Sequence, residues 1–84
     1  MKHAGPEALD RLEPLLGELR KIAALKERSR GVFYRSGRAF LHFHEHGNEV
    51  FADMRVGDEF ERFAATTTTH RNALLRALKR ALAQ

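Results

Sequence analysis

The pattern of apolar residues changes period at Gly31, and this change limits the folds open to the chain more than any other feature. Before Gly31 the apolar residues recur at the three- and four-residue spacing of a helix, whereas from Gly31 to Ala65 they alternate with polar residues as in strands. Three glycine-containing pairs interrupt this alternation: Ser36–Gly37, Gly47–Asn48 and Gly57–Asp58. Such pairs are typical of tight hairpin turns. The segment therefore predicts four short strands in an antiparallel meander.

Two-residue turns also predict the register of the meander, because a hairpin of known loop length leaves one pairing. The expected cross-strand pairs are Arg35 with Arg38, His46 with Glu49, and Val56 with Glu59. Alternation then divides the side chains between a core face and a second face rich in aromatic, histidine and arginine residues. On this second face we predict a binding surface formed by Phe33, Phe40, His42, His44, Phe51, Asp53, Arg55, Phe60 and Arg62.

Amphipathic segments flank the meander on both sides. The first carries leucines at helical spacing, and we expect either a kink at Pro14 or a main helix that begins there, ending around Lys26–Arg28. The threonine run Thr66–Thr69 supplies hydroxyl caps for a final helix from His70 to Ala83. The sequence thus predicts an α+β fold, a four-stranded antiparallel meander with an N-terminal and a C-terminal helix packed on one face.

Length and residue usage exclude several classes of protein. The 84 residues are enough for a single domain, residues 1–84, with one core. There is no cysteine, which excludes disulfides, thiolate catalysis and cysteine-based zinc sites. No apolar run approaches the roughly twenty residues that span a bilayer, and the charged N-terminal segment does not look like a secretory signal. We expect a cytoplasmic protein without a membrane partner.

The phenylalanines of the second face indicate an interaction surface, because four uncovered rings would expose roughly several hundred square ångströms of apolar area. They could pack against a second copy of the chain, giving a homodimer. Alternatively, they could stack on the bases of single-stranded nucleic acid while four arginines, Arg35, Arg38, Arg55 and Arg62, bind phosphates. A third reading is a bulge that shifts the register by one residue and exchanges residues between the faces. We expect the homodimer, with nucleic-acid binding as the alternative.

The distribution of charge bears on the nucleic-acid alternative. The chain has 15 Lys and Arg against 11 Asp and Glu, a net charge of +4. Residues 66–84 contain four basic and no acidic residues. Such a strip favours a polyanionic partner, although a solvated helix face is the commoner explanation.

The run His42–His46 projects three imidazoles from one face of a strand. In the expected register Asp53 lies opposite His42, so His42, His44 and Asp53 form a candidate metal-ligand set of two imidazoles and a carboxylate. Against that interpretation, these ligands lie on an open strand face, and arginines on the same face would repel a cation. We therefore expect no resident metal, no cofactor, and a pH-sensitive cross-strand pair between His42 and Asp53.

No group of residues defines a catalytic centre. No serine or threonine nucleophile accompanies the histidine–aspartate pair, and Glu59 and Glu61 are typical of a charged edge strand rather than of paired catalytic carboxylates. The glycine-rich loops that bind nucleotide phosphates are absent as well. We expect a noncatalytic interaction module without a small-molecule substrate.

Gly31-Val32-Phe33-Tyr34 is followed after a Ser-Gly turn by Arg38-Ala39-Phe40-Leu41, in the order helix, short-turned strands, helix. In these residues the first half of the chain resembles the YjbR/MmcQ family of small bacterial proteins. Members of that family are suspected of binding DNA through their hairpins. The resemblance implies a somewhat stronger case for nucleic acid and assigns no catalytic residue.

Overall fold

Two helices and six strands make up the part of the chain, residues 2–83, that the computed structural model describes. In chain order they are β1 (Lys2–His3), α1 (Pro6–Arg20), β2 (Lys26–Ser29), β3 (Val32–Arg35), β4 (Arg38–His46), β5 (Glu49–Val56), β6 (Glu59–Ala64) and α2 (Thr68–Leu82). The expected α+β class with an antiparallel sheet is confirmed. The expected count of four strands is wrong, because β1 and β2 also join the sheet.

The strands follow the order β2-β3-β4-β5-β6, and every pairing is antiparallel. The three register pairs expected at the turns are confirmed: Arg35 with Arg38, His46 with Glu49, and Val56 with Glu59. Strand β4 is long enough for two partners on one edge. Its first residues pair with β3, and its last residues pair with β1, which places Lys2 opposite Glu45 and His3 opposite His44.

Strand β2 occupies residues that were expected to end the first helix. Helix α1 instead begins at Pro6, runs through Pro14 and ends at Arg20. Gly31 has a φ of +80° and reverses the chain, so that Ser29 pairs with Val32 across a tight turn. Charged side chains fill β2, so no apolar alternation marks it as a strand.

The turn at Gly31 also packs closely against α1. A Cβ on this residue would lie 2.6 Å from a methyl carbon of Leu9. Next to the turn, the Glu27 carboxylate accepts hydrogen bonds from the backbone N–H of Gly31, at 2.9 Å, and from Nε of Arg20, at 2.6 Å. These contacts hold β2 beside the helix.

A β-bulge in the β3–β4 hairpin moves two phenylalanines from the predicted binding surface into the core. Phe33 pairs with Leu41 and Tyr34 pairs with Ala39, so Phe40 is an extra residue in β4. The extra residue changes which side chains of β3 share a face with the rest of β4. Phe33 is fully buried and Phe40 is 3% exposed. Their expected place on an exposed face is therefore wrong.

A single core joins both helices to the strands. Its largest fully buried side chains come from α1, from α2 and from the sheet, and they are Leu12, Leu16, Leu19, Phe33, Leu41, Met54, Leu74 and Leu78. Burial of this size is the main favourable term in folding. The core supports β4 and β5 from one side and leaves alternate side chains of these strands for other contacts.

The threonine run caps α2 as the sequence predicts. The side-chain oxygen of Thr67 accepts a hydrogen bond from the backbone N–H of His70 at 3.0 Å, and Nδ1 of His70 accepts one from the backbone N–H of Thr67 at 3.2 Å. Neither α2 nor α1 is long and apolar enough to cross a bilayer.

Candidate functional site

Seven of the nine predicted binding residues share one face of the sheet, which we call the histidine face. The register establishes this, because directly opposed residues and alternate residues of a strand point the same way. One row contains His42, Asp53 and Arg62, and the rows beside it pair His44 with Phe51 and Arg55 with Phe60. The histidine face therefore comprises His42, His44, Phe51, Asp53, Arg55, Phe60 and Arg62.

Asp53 is the buried charge of the histidine face, with 8% of its surface exposed. Arg62 donates two hydrogen bonds to it, from Nε to Oδ1 at 2.8 Å and from the other end of the guanidinium to Oδ2 at 2.9 Å. These bonds lower the pKa of Asp53, although burial opposes the shift. Asp53 is therefore an anion at neutral pH.

The imidazole that contacts Asp53 is not the one directly opposite it in the register. Nε2 of His44 lies 3.1 Å from Oδ2 of Asp53, on the diagonal across the two strands. The ring of His42 turns instead towards His44, and its Nδ1 lies 3.0 Å from the same His44 nitrogen. The expected opposition of His42 and Asp53 is confirmed, whereas the contact expected between their side chains is wrong.

A third imidazole, from His3, joins these two through β1. Its ring stacks on that of His44 with centroids 4.7 Å apart, and it lies 5.9 Å from the ring of His42. One nitrogen from each of the three residues lies within 4.8 Å of the other two. We call His3, His42 and His44 the histidine cluster. Sequence reasoning missed His3, because a strand of two residues has no period to reveal it.

One polar atom of the cluster lacks a partner. Nδ1 of His44 is buried and makes no hydrogen bond within residues 2–83. A neutral imidazole carries one proton, so either Nε2 donates to Asp53 and Nδ1 holds an unpaired lone pair, or Nδ1 holds the proton and Nε2 is free to bind an ion. Either form leaves Nδ1 of His44 without a hydrogen-bond partner among these residues, which is costly and unusual for a buried polar atom.

The surroundings of His42 favour the neutral form of its ring, which can donate an electron pair. Burial lowers the pKa of His42, and the positive charge that His44 would carry lowers it further, while Asp53 opposes the shift. His42 is thus predominantly neutral at physiological pH. Neutral imidazole is the form that coordinates metal ions.

Aromatic and cationic side chains border the cluster on the β6 side. The ring of Phe60 meets His42 edge-on, with centroids 5.1 Å apart. The guanidinium of Arg55 lies 4.6 Å from the centre of the same phenyl ring, and its Nε donates a hydrogen bond to the carbonyl of Ala39. Phe51 is half-buried, whereas Phe60 is 41% exposed.

Comparison with known proteins gives no relative for this chain. No family model, no curated protein and no solved structure matches it. We therefore interpret the histidine face from its own geometry.

Proposed function

We propose that the chain is a small noncatalytic binding module and that its histidine cluster binds one divalent transition-metal ion. The observation that carries the proposal is the convergence of three imidazole nitrogens within 4.8 Å. Imidazole suits zinc, copper, iron and nickel, whereas magnesium and calcium prefer oxygen ligands. Three such ligands leave a coordination position for water or for a group of a partner molecule.

The separations between the donor atoms favour a common ion. Two nitrogens that bind one tetrahedral zinc ion at about 2.0–2.1 Å are roughly 3.3 Å apart. Nδ1 of His42 and Nε2 of His44 are 3.0 Å apart, and the Asp53 carboxylate lies 3.1 Å from that His44 nitrogen. His3 is exposed, so its side chain can rotate to complete the set without disturbing the core.

The surrounding charges are more favourable to a cation than the sequence alone suggests. Arg62 is paired with Asp53, so its positive charge is balanced beside the cluster. The guanidinium of Arg55 lies over Phe60. The His44 side chain is 14% exposed and so is not on an open surface. Asp53 lies beside the same His44 nitrogen, so its carboxylate adds a negative charge next to the ion, and two hydrogen bonds from Arg62 hold it in place.

The test is titration of Zn²⁺ into untagged, metal-free protein, with the heat of binding measured by calorimetry. We expect one ion per chain, and Co²⁺ in its place should give the visible absorption of a site with nitrogen ligands. His42→Ala and His44→Ala should each weaken binding by about 100-fold or more, and His3→Ala by about tenfold or more.

His46→Ala is the matched control, because His46 is an exposed histidine at the end of the same strand and lies outside the cluster. Its affinity for Zn²⁺ should stay within about twofold of the parent chain. Absence of binding in the parent chain, or an equal loss in His46→Ala, would contradict the proposal.

Self-association is the second candidate function, and the exposure of Phe60 favours it. We infer that both helices cover the sheet face opposite the histidine face, since leucines of both helices share one core with buried residues of β4 and β5. The histidine face is then free to meet a second copy. Sedimentation at micromolar concentration should give a dimer that dissociates in Phe60→Asp, and a monomer in the parent chain would rule this candidate out.

A further inference from the structure

A cavity of about 640 Å³ lies between the β3–β4 hairpin and the C-terminal half of α2, away from the histidine cluster. Its accessible apolar surface comes from Val56 and Phe63, with Ala77 and Ala81 of α2, while Phe40 and Met54 lie beneath it and are almost fully buried. Its volume falls in the range of sites that bind small organic molecules, roughly 300–1,000 Å³. None of the residues that form the histidine cluster contributes to it.

Three arginines line this cavity without a partner of their own. Arg35, Arg38 and Arg80 make no salt bridge and no side-chain hydrogen bond to any residue between positions 2 and 83. By contrast, Arg20 and Arg62 are both paired with carboxylates. The contact that Arg35 does make is with the ring of Phe40, whose centre lies 5.8 Å from its guanidinium carbon.

Ordinary structural roles account for only part of this arrangement. Arg80 belongs to the last turn of α2, where a positive charge stabilises the helix dipole. That explanation does not extend to Arg35 and Arg38, which lie on the hairpin. One carboxylate, Glu61, also lines the cavity, but it forms no ion pair with any of the three. With Arg55, whose Nε is bound to the Ala39 carbonyl, four guanidinium groups among the described residues line the cavity against one carboxylate, which leaves an excess of positive charge.

We propose that this cavity binds a small organic anion, a phosphate or carboxylate attached to an apolar body about the size of a mononucleotide. The guanidinium forks of the rim pair with the anionic head, because their planar donors match phosphate and carboxylate oxygens. The apolar body rests against Val56, Phe63 and the alanines of α2. This site is separate from the histidine cluster, so it stands whether or not the chain binds a metal.

The test is a titration of metal-free protein with three probes in turn: adenosine monophosphate, decanoate and inorganic phosphate. Changes in the amide chemical shifts of the protein report binding. We expect one of the two organic anions to bind with a dissociation constant below about 1 mM and to shift residues of the cavity. Adenosine monophosphate reports a nucleotide-like ligand, and decanoate reports an acyl-chain ligand. Inorganic phosphate should bind at least about tenfold more weakly, because it lacks the apolar body.

Variants separate the cavity from general surface charge. Arg38→Ala and Arg80→Ala should each weaken binding of the organic anion by about tenfold, the loss expected for one charge-assisted hydrogen bond. Arg76→Ala is the matched control, because Arg76 is an exposed arginine of α2 that does not line the cavity. Ala81→Leu adds no charge but fills the cavity, so it should weaken binding as well.

Three results would overturn the proposal. The first is that neither organic anion binds at about 1 mM or below. The second is that Arg76→Ala weakens binding as much as Arg38→Ala does. The third is that a single-stranded oligonucleotide binds while both organic anions fail, which would assign the arginines to a polyanion surface instead.

Discussion

Replacing Arg62 by methionine tests the electrostatic support of the histidine face. The change removes both hydrogen bonds to Asp53 and leaves a carboxylate that is 8% exposed without its cation. Methionine keeps most of the length of the side chain and its apolar contacts. The main loss is therefore the stabilisation of the Asp53 anion.

The expected cost follows from the geometry. Hydrogen bonds to charged groups contribute about 1.5–3 kcal/mol when buried. The Arg62 side chain, however, is 48% exposed, so solvent screening reduces this value. We expect the free energy of unfolding at pH 7 to fall by about 1.5 kcal/mol, which lowers the Tm of a domain of this size by roughly 6–12 °C.

The loss should depend on pH in a defined direction. Arg62 lowers the pKa of Asp53 in the folded state, so the stability it provides is complete above the unfolded value of about 3.9 and disappears as pH falls below it. In Arg62→Met the pKa rises, and less stability remains to be lost. The difference between the two proteins should therefore shrink from pH 7 to about pH 3.

Urea denaturation at several pH values measures this difference, and a double-mutant cycle with Asp53→Asn isolates the pair. We expect a coupling energy of about 1 kcal/mol at neutral pH. Zn²⁺ affinity should also fall by about tenfold in Arg62→Met, because Arg62 no longer positions the Asp53 carboxylate beside the ion. A stability difference that stays constant over the whole pH range, or a coupling energy near zero, would refute the reasoning.

Three further predictions concern other parts of the molecule. With a chelator present, the Tm should fall as the pH is lowered from 7.5 to 5.5. The pKa of His42 is lowered in the folded state, so the unfolded state binds the proton more readily, and the fall in Tm should be smaller in His42→Gln. Phe33→Ala should cost about 3–5 kcal/mol in urea denaturation, while Phe60→Ala should cost less than about 1, and equal losses would contradict the bulge. Gly31→Ala should cost about 2 kcal/mol or more because it strains a positive φ and meets Leu9, and a neutral result by the same assay would contradict the tight turn.

Turn chemistry accounts for what the sequence reveals about the sheet. Gly37, Gly47 and Gly57 all have positive φ in two-residue loops, and each of the three turns closes with the expected pair. From those turns the register brings His42, Asp53 and Arg62 into one row. The sequence therefore predicts the place of each residue on the histidine face, because β4–β5 and β5–β6 pair without a bulge.

The remaining features depend on tertiary contacts that leave no local pattern. The turn at Ser36–Gly37 closes with the expected pair, yet a bulge follows at Phe40. Packing of Phe33 and Phe40 in the core favours this bulge over the regular register. Strand β2 is charged at nearly every position and is held by Glu27 and Gly31 rather than by apolar alternation. The contact between His44 and Asp53 depends on side-chain rotamers, which register does not determine.

The brevity of β1 has a kinetic consequence for any ion held by the histidine cluster. His3 reaches the cluster on a short arm attached to the start of α1, and the arm is held by the bond from Ala4 to the Phe43 carbonyl and by a 2.5 Å bond from Gly5 to the Glu45 carboxylate. Few contacts of this kind are needed to dock the arm, and few are lost when it lifts away. Release of an ion would then occur in two stages, with the imidazole of His3 leaving first and rebinding from a high effective concentration. The arm between His3 and Pro6 would thus govern the residence time of the ion.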